Sequence, residues 1–263
     1  MTWTQEVISR WEAGEISDEI ALARLLLSGE APNLATLPGP LAALARVHGD
    51  RLPELAGLAR DGFEANDVAG AAALFDKLAV SAPEAGVAFY ALGDPALFAR
   101  ATDELVAVIR AWTPVEGRHV LDFGCGIGRV AAALAPHARE VVGVDVSAGM
   151  VAAAAARARA ANLRFEQVDG RTLGGFADGS TDLIVAGDCF PFLVRAGIVG
   201  DVLAEFARVL RPGGDLLVFN WSYRGDPARD IADARAVPGF ETVRAGEMPF
   251  AIWDGAGFHL RRL

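Results

Sequence analysis

The sequence predicts an α/β fold: a doubly wound, mostly parallel sheet preceded by a helical appendage. Three observations carry that expectation. From residue 118 onward, short apolar runs alternate with helical patterns, as parallel strands joined by crossover helices require. The first of those runs ends in a glycine-rich turn, Asp122-Phe123-Gly124-Cys125-Gly126-Ile127-Gly128. Up to about residue 90, in contrast, the chain reads as a string of helices.

The appendage is expected over residues 1–90, as a lid or a dimer contact or simply as cover for the core. Val7, Ile8 and Trp11 share one helical face. Ser17, followed by Asp18 and Glu19, suits the N-cap of a helix through Ile20, Leu22, Leu25 and Leu26 that Gly29 stops. Amphipathic segments follow at 41–47, 52–58 and 68–78, separated by Gly-Asp and Asp-Gly breaks. The second domain is expected over 91–263. Asp94-Pro95 supplies an N-cap and a first-turn proline for a helix to about Trp112. Then come strand 118–123, helix 128–136, strand 140–145, helix 148–161, strand 163–168, strand 181–187, helix 195–210 and strand 214–221. A short helix over 226–236 leads to two tail strands, 240–247 and 257–262.

The glycine turn predicts a nucleoside site. Missing side chains let backbone N–H groups approach a ligand, and a helix opens directly behind them. Asp145, at the end of Val141-Val142-Gly143-Val144-Asp145, is placed to accept hydrogen bonds from a ribose diol. Spacing then separates two kinds of cofactor. The dinucleotide pattern G-x-G-x-x-G requires glycine at 129, where this chain has Arg129; glycine stands at 128 instead. That counts against a nicotinamide-dependent oxidoreductase.

The pattern D-x-G-x-G-x-G over 122–128 resembles the first motif of the class I S-adenosylmethionine (SAM)-dependent methyltransferases, and later segments resemble the same family in order. Val168-Asp169-Gly170 looks like the family's third strand end, Thr181 to Asp188 its fourth strand, and Leu210-Arg211-Pro212-Gly213-Gly214-Asp215-Leu216-Leu217-Val218 its fifth. The resemblance implies a Rossmann-like fold whose two tail strands form a hairpin with one antiparallel strand at the sheet edge, and methyl transfer from SAM to a small-molecule acceptor, leaving S-adenosylhomocysteine. It implies cofactor contacts by Asp122, Gly124, Cys125, Gly126, Gly128, Asp145, Val146, Met150, Asp169, Gly170 and Asp188. Met150 is expected beside the adenine. A SAM-binding regulatory protein without catalysis is the alternative from another functional class, because no single base defines the family.

In such sheets the ligand crevice lies beyond the carboxyl ends of the strands. Loops there carry Asp188 and Phe190, then Trp221, Tyr223 and Arg224, then Trp253 and Asp254; Tyr90 precedes the helix expected to cover the cofactor. Tyr90, Phe190, Trp221, Tyr223, Arg224, Trp253 and Asp254 are therefore candidate acceptor contacts. Asp188 and Tyr223 are candidate catalytic groups if the acceptor must lose a proton. Asp188 equally suits a loop or cofactor hydrogen bond, and the two tryptophans equally suit packing. Arg129 is expected to reach solvent or to pair with a carboxylate.

Composition excludes several classes. With 263 residues, 52% hydrophobic, a sizeable core is available. A formal net charge of −10 argues against extended nucleic-acid binding, which requires clustered Lys and Arg. No apolar run approaches the ~20 residues of a membrane helix, and the start lacks a secretory pattern, so a cytoplasmic protein without a membrane partner is expected. Cys125 and Cys189 lie too far apart in sequence for a C-x-x-C motif, so no metal site is expected. The four histidines fall away from the expected crevice. Nothing in the sequence speaks to oligomeric state.

Overall fold

A computed structural model describes residues 2–27, 32–33, 35–49 and 51–263, with the backbone alone over 59–64. Six helices open the chain: α1 (Trp3–Glu12), α2 (Asp18–Leu26), α3 (Gly39–Val47), α4 (Leu52–Glu64), α5 (Val68–Ser81) and α6 (Pro83–Val87). Ser17 caps α2 through Ile20 N, as expected. Gly29, the expected stop for that helix, lies outside the described residues, as does Asp50 of the first break. The second break does not form. Helix α4 runs through Asp61-Gly62 to Glu64, so one interior glycine costs less than the turns it interrupts would lose.

Helix α7 (Pro95–Trp112), capped by Asp94 through Leu97 N, leads into the sheet. Its strands are β1 (His119–Phe123), β2 (Glu140–Asp145), β3 (Leu163–Gln167), β4 (Thr181–Gly187), β5 (Leu210–Phe219), β6 (Phe240–Glu247) and β7 (Gly257–Arg262), in the order β3-β2-β1-β4-β5-β7-β6. The first five are parallel, with Leu121 opposite Val142 on one side and Ile184 on the other. The edge hairpin forms, yet its antiparallel strand, β7, is the inner one, and β6 takes the edge.

Helices α8 (Arg129–Leu134), α9 (Ala148–Arg157), α10 (Phe190–Arg195), α11 (Val199–Val209) and α12 (Pro227–Arg235) complete the chain. Strand alternation divides the apolar side chains between two faces. Leu183, Val185 and Leu217 face α7 and the amino-terminal helices, burying Leu22, Leu26 and Ile109. Ile184, Ala186 and Leu216 face α11, burying Phe206 and Val209.

Three boundaries differ from expectation. Helix α9 stops at Arg157, four residues early. The helix expected over 195–210 forms as α11, starting four residues late at Val199, and an unexpected α10 precedes it. Pro191 opens α10 inside what reads as a loop, and Gly197, at φ 69°, separates it from α11. Strand β5 starts at Leu210 with a register shift opposite Thr181 and Leu183, and ends at Phe219 because Asn220 turns left-handed, φ 68°.

Candidate active site

One cavity of about 1150 Å³ opens beyond the carboxyl ends of the parallel strands, roofed by the amino-terminal helices. Gly124, Gly126, Asp145, Val146 and Gly170 line it on the sheet side. The loop glycines hold left-handed backbone, φ 71° at Gly124 and 52° at Gly126. A side chain at either would strike protein before it reached a ligand: a Cβ on Gly124 would lie 2.5 Å from Cys189 Cβ, and one on Gly126 would overlap Val87 of α6. These glycines permit close packing of the loop, and the packed loop presents its backbone to the cavity.

Asp145 Oδ2 accepts Gly126 N–H at 2.8 Å and Oδ1 accepts Ser147 N–H at 3.0 Å. Burial raises the pKa of this carboxyl despite those bonds. Each oxygen keeps a lone pair, so the group that braces the loop is still able to receive a diol. Asp76 of α5 accepts Ser147 Oγ–H at 2.6 Å and Gly149 N–H at 2.8 Å, tying the roof to the start of α9. The residues present fit SAM: two glycines bring backbone to the cavity wall, a carboxylate lines it, and apolar side chains of α5 (Val68, Leu74, Phe75, Leu78) cover it.

Five expected cofactor contacts lie elsewhere. Asp122 is buried beneath the loop, where Oδ2 accepts Ala131 N–H at 3.0 Å and braces the start of α8. Burial pushes its pKa up to about 7. Cys125 is buried, facing Gly143, and does not line the cavity. Gly128 makes room for Phe165, 2.7 Å from where its Cβ would approach the ring edge. Met150 packs with Leu78 and Ile127, fully buried. Asp169 spends its carboxylate on its own turn, accepting Arg171 N–H, Thr172 N–H and Thr172 Oγ–H. Asp122, Cys125 and Met150 are thus buried behind the cavity wall, Gly128 borders a second pocket, and Asp169 is exposed.

The second half of the cavity gathers around Asp188, which follows β4 at φ 60°. Its Oδ1 accepts Asn220 Nδ2–H at 2.7 Å and Tyr223 Oη–H at 2.9 Å. Burial raises the Asp188 pKa to about 6, with those two bonds opposing the rise. Left-handed backbone at both Asp188 and Asn220 lets the two loops meet head-on. Tyr90 and Trp253 also line the cavity and stack at 5.3 Å with 14° between planes.

Other expected contacts change role. Phe190 and Trp221 are buried in the core against each other, 5.2 Å between centroids, and neither borders the cavity. The short α10 turns Phe190 inward, and Trp221 packs on Phe258 at 5.2 Å. Arg224 borders the cavity with its guanidinium held by Asp230 and Asp233. Asp254 borders it too, paired with Arg24 of α2. Arg129 is half-buried, and among the described residues no carboxylate pairs with it. It donates to Tyr90 Oη at 2.8 Å and Thr102 Oγ1 at 3.1 Å, over the Phe98 ring.

Sequence reasoning offered a lid as one role of these helices but named none of its residues. Arg24, Phe75 and Val87 line the cavity from α2, α5 and α6. Glu104 of α7 accepts Ala251 N–H and Ile252 N–H, clamping the loop that carries Trp253. The one local signal was Arg24 itself, a cation inside the apolar run Ile20–Leu26.

Comparison with known proteins agrees with this geometry. A family model described as a methyltransferase domain matches residues 120–214. The uncharacterized methyltransferase YcgJ of Bacillus subtilis is 33% identical over 140 residues, 52% of this chain and 53% of that protein. Methyltransferase GfsG of Streptomyces halstedii is 37% identical over 132 residues, 48% of this chain and 45% of that one. The chain thus spans about half the length of these two relatives. A SAM-dependent methyltransferase from Aquifex aeolicus shares the fold, with a TM-score of 0.51 at 20% identity over 65% of this chain and 94% of that one. Among the described residues no helix is long and apolar enough to cross a membrane. The glycine loop and Asp145 lie within the matched segment, so residues 120–214 are similar to a methyltransferase domain, on a fold shared with that SAM-dependent enzyme.

Proposed function

We propose that this chain methylates a small-molecule acceptor held in the same cavity as its cofactor. One observation carries the reading: the space beside Gly124, Gly126 and Asp145 continues without a partition to Asp188, Tyr223 and Trp253. At about 1150 Å³ it exceeds the roughly 300–1,000 Å³ of an ordinary small-molecule pocket, leaving room for two ligands. The net charge of −10 supports a small acceptor over a nucleic acid.

In this reading Gly124, Gly126, Val146 and Gly170 hold SAM by shape, and Asp145 holds its ribose. When bound, SAM supplies an electrophilic methyl group on a sulfonium. In-line displacement asks the protein for orientation and for exclusion of water. The roof provides both. Asp76 fixes α5 over the cofactor half, while the Arg24–Asp254 pair and the Tyr90–Trp253 stack close the acceptor half.

The test joins calorimetry to a turnover screen. SAM and S-adenosylhomocysteine should bind and NAD should not. Isotope-labelled methyl from SAM should then appear in at least one member of a metabolite pool. Tight NAD binding, or SAM binding with no label transferred to any small molecule, would overturn the reading.

A further inference from the structure

The cavity's own lining narrows the acceptor, an inference that rests on the methyl-transfer reading above. Each lining arginine is already engaged. Arg24 pairs with Asp254, Arg10 with Glu15, and Arg224 with Asp230 and Asp233; Arg195 donates to Ala65 O and lies over the Phe192 ring. Apolar and aromatic side chains border most of the remaining space, among them Trp3, Phe75, Phe89, Phe192 and Met248. Phe75, Phe192 and Tyr223 meet edge to face, at 5.4 and 6.2 Å, and form an aromatic wall that ends at Asp188.

Asp188 breaks this pattern. Both donors, Asn220 and Tyr223, converge on Oδ1, and among the described residues Oδ2 receives no hydrogen bond. Asp188 is half-buried on the cavity wall, so this carboxylate oxygen is open to a donor from a ligand.

We propose that the acceptor is a bulky, uncharged, largely apolar molecule bearing a hydroxyl, whose proton passes to Asp188 Oδ2 while Asn220 and Tyr223 hold Oδ1. The hydroxyl oxygen forms its new bond to the methyl carbon as its O–H bond breaks. The carbon–sulfur pair stays on sulfur, and the charges of sulfonium and carboxylate cancel; the carboxylic acid then returns its proton to water. An anionic acceptor would meet carboxylates and no uncommitted arginine. An ammonium would lose hydration against apolar walls. The Asp188 pKa of about 6 supports the assignment, since the group is ionised at neutral pH yet close enough to share a proton. Asn220 and Tyr223 act through Asp188, as positioning residues.

The experiment uses the full chain saturated with S-adenosylhomocysteine and three probes: 2-naphthol, 2-naphthoate and naphthalene. Calorimetry should show 2-naphthol binding at least ten-fold tighter than either of the others. Asp188→Asn should weaken 2-naphthol about ten-fold, leave S-adenosylhomocysteine affinity within two-fold, and slow SAM-dependent formation of 2-methoxynaphthalene by about 10²–10⁴-fold. Tyr223→Phe removes a donor that favours the charged carboxylate, so the midpoint of the pH–rate profile should move upward from about 6. A purely structural role would leave that midpoint in place. Equal or tighter binding of 2-naphthoate, or an unmoved midpoint in Tyr223→Phe, overturns the acceptor proposal alone. Failure of the native chain to bind S-adenosylhomocysteine overturns the methyl-transfer reading and this proposal with it.

Discussion

Two carboxylates, one toward each end of the sheet, show how partners decide what burial does. Asp188 lies beyond the carboxyl end of β4 and receives only neutral donors, so its pKa rises. Asp215 lies on β5 near the opposite end. Its Oδ2 accepts Thr113 Oγ–H at 2.6 Å and Arg118 Nη1–H at 2.7 Å, while Oδ1 takes Arg261 Nε–H at 3.0 Å and faces His259 Nε2 at 2.8 Å. Burial pushes this pKa up as well, yet the bonds from His259, Arg118 and Thr113 outweigh it and hold the group well below the usual carboxylate range. One end of the sheet carries a locked charge, the other a group poised to exchange a proton. That contrast marks the functional end independently of any motif.

The contrast breaks most sharply at Asp215. Asp215→Ala leaves Arg118 and His259 facing an enclosed gap, and should cost about 3–5 kcal/mol of stability. Arg261 is 45% exposed along its side chain and contributes little to that figure. Because the folded pKa is depressed, the stabilisation is present above the unfolded value and is lost only as pH falls through the folded one. The loss in the variant should therefore be flat across neutral pH. Urea midpoints between pH 6 and 8 measure it, and a cost below about 1 kcal/mol would show that the network is no lock.

Asp145→Ala tests the cofactor half. It should weaken SAM by about 1–3 kcal/mol, the range for losing a hydrogen bond to a charged group. Calorimetry on a variant with native circular dichroism measures this. Unchanged affinity would leave Asp145 as a brace for Gly126 and Ser147 only.

The smallest effect belongs to Asp122, which resembles Asp188 in the direction of its shift but has no cavity to serve. With a folded pKa of about 7, the folded state holds its proton across the interval from ~4 to 7 where the unfolded chain releases it. Stability therefore falls as pH rises through that interval. Asp122→Asn keeps an acceptor for Ala131 N–H, removes that slope, and should stabilise the protein at pH 8 by about 1–2 kcal/mol, roughly 2–4 °C in melting temperature per kcal/mol. Melting curves at pH 5 and pH 8 should diverge less in the variant than in the native chain.

What the sequence revealed about the site follows the range of each signal. Gly124, Gly126 and Asp145 stand within about twenty residues of one another, and their spacing is enough to predict the loop, the second strand and the carboxylate between them. Asp188 is legible because a strand that ends in an acid points to the crevice. Local patterns fail where two distant segments meet. Arg24 and Asp254 are 230 residues apart, so no window contains both. Phe190 and Trp221 read as pocket aromatics because they follow strands, but a one-turn helix and a left-handed Asn220 rotate them into the core. Asp169 and Asp122 occupy motif positions, yet nearby backbone donors claim their oxygens first.

The inner placement of β7 has a consequence for how the molecule assembles. Strand β6 pairs with β7 alone, so it joins the sheet only when the whole hairpin docks β7 along β5. The connection between them, 248–256, brings Trp253 to Tyr90 and Asp254 to Arg24. Contacts this distant in sequence carry the loop-closure entropy of the intervening chain. The sheet edge and the cavity wall are thus one unit, and local opening of the hairpin would unmake both at once.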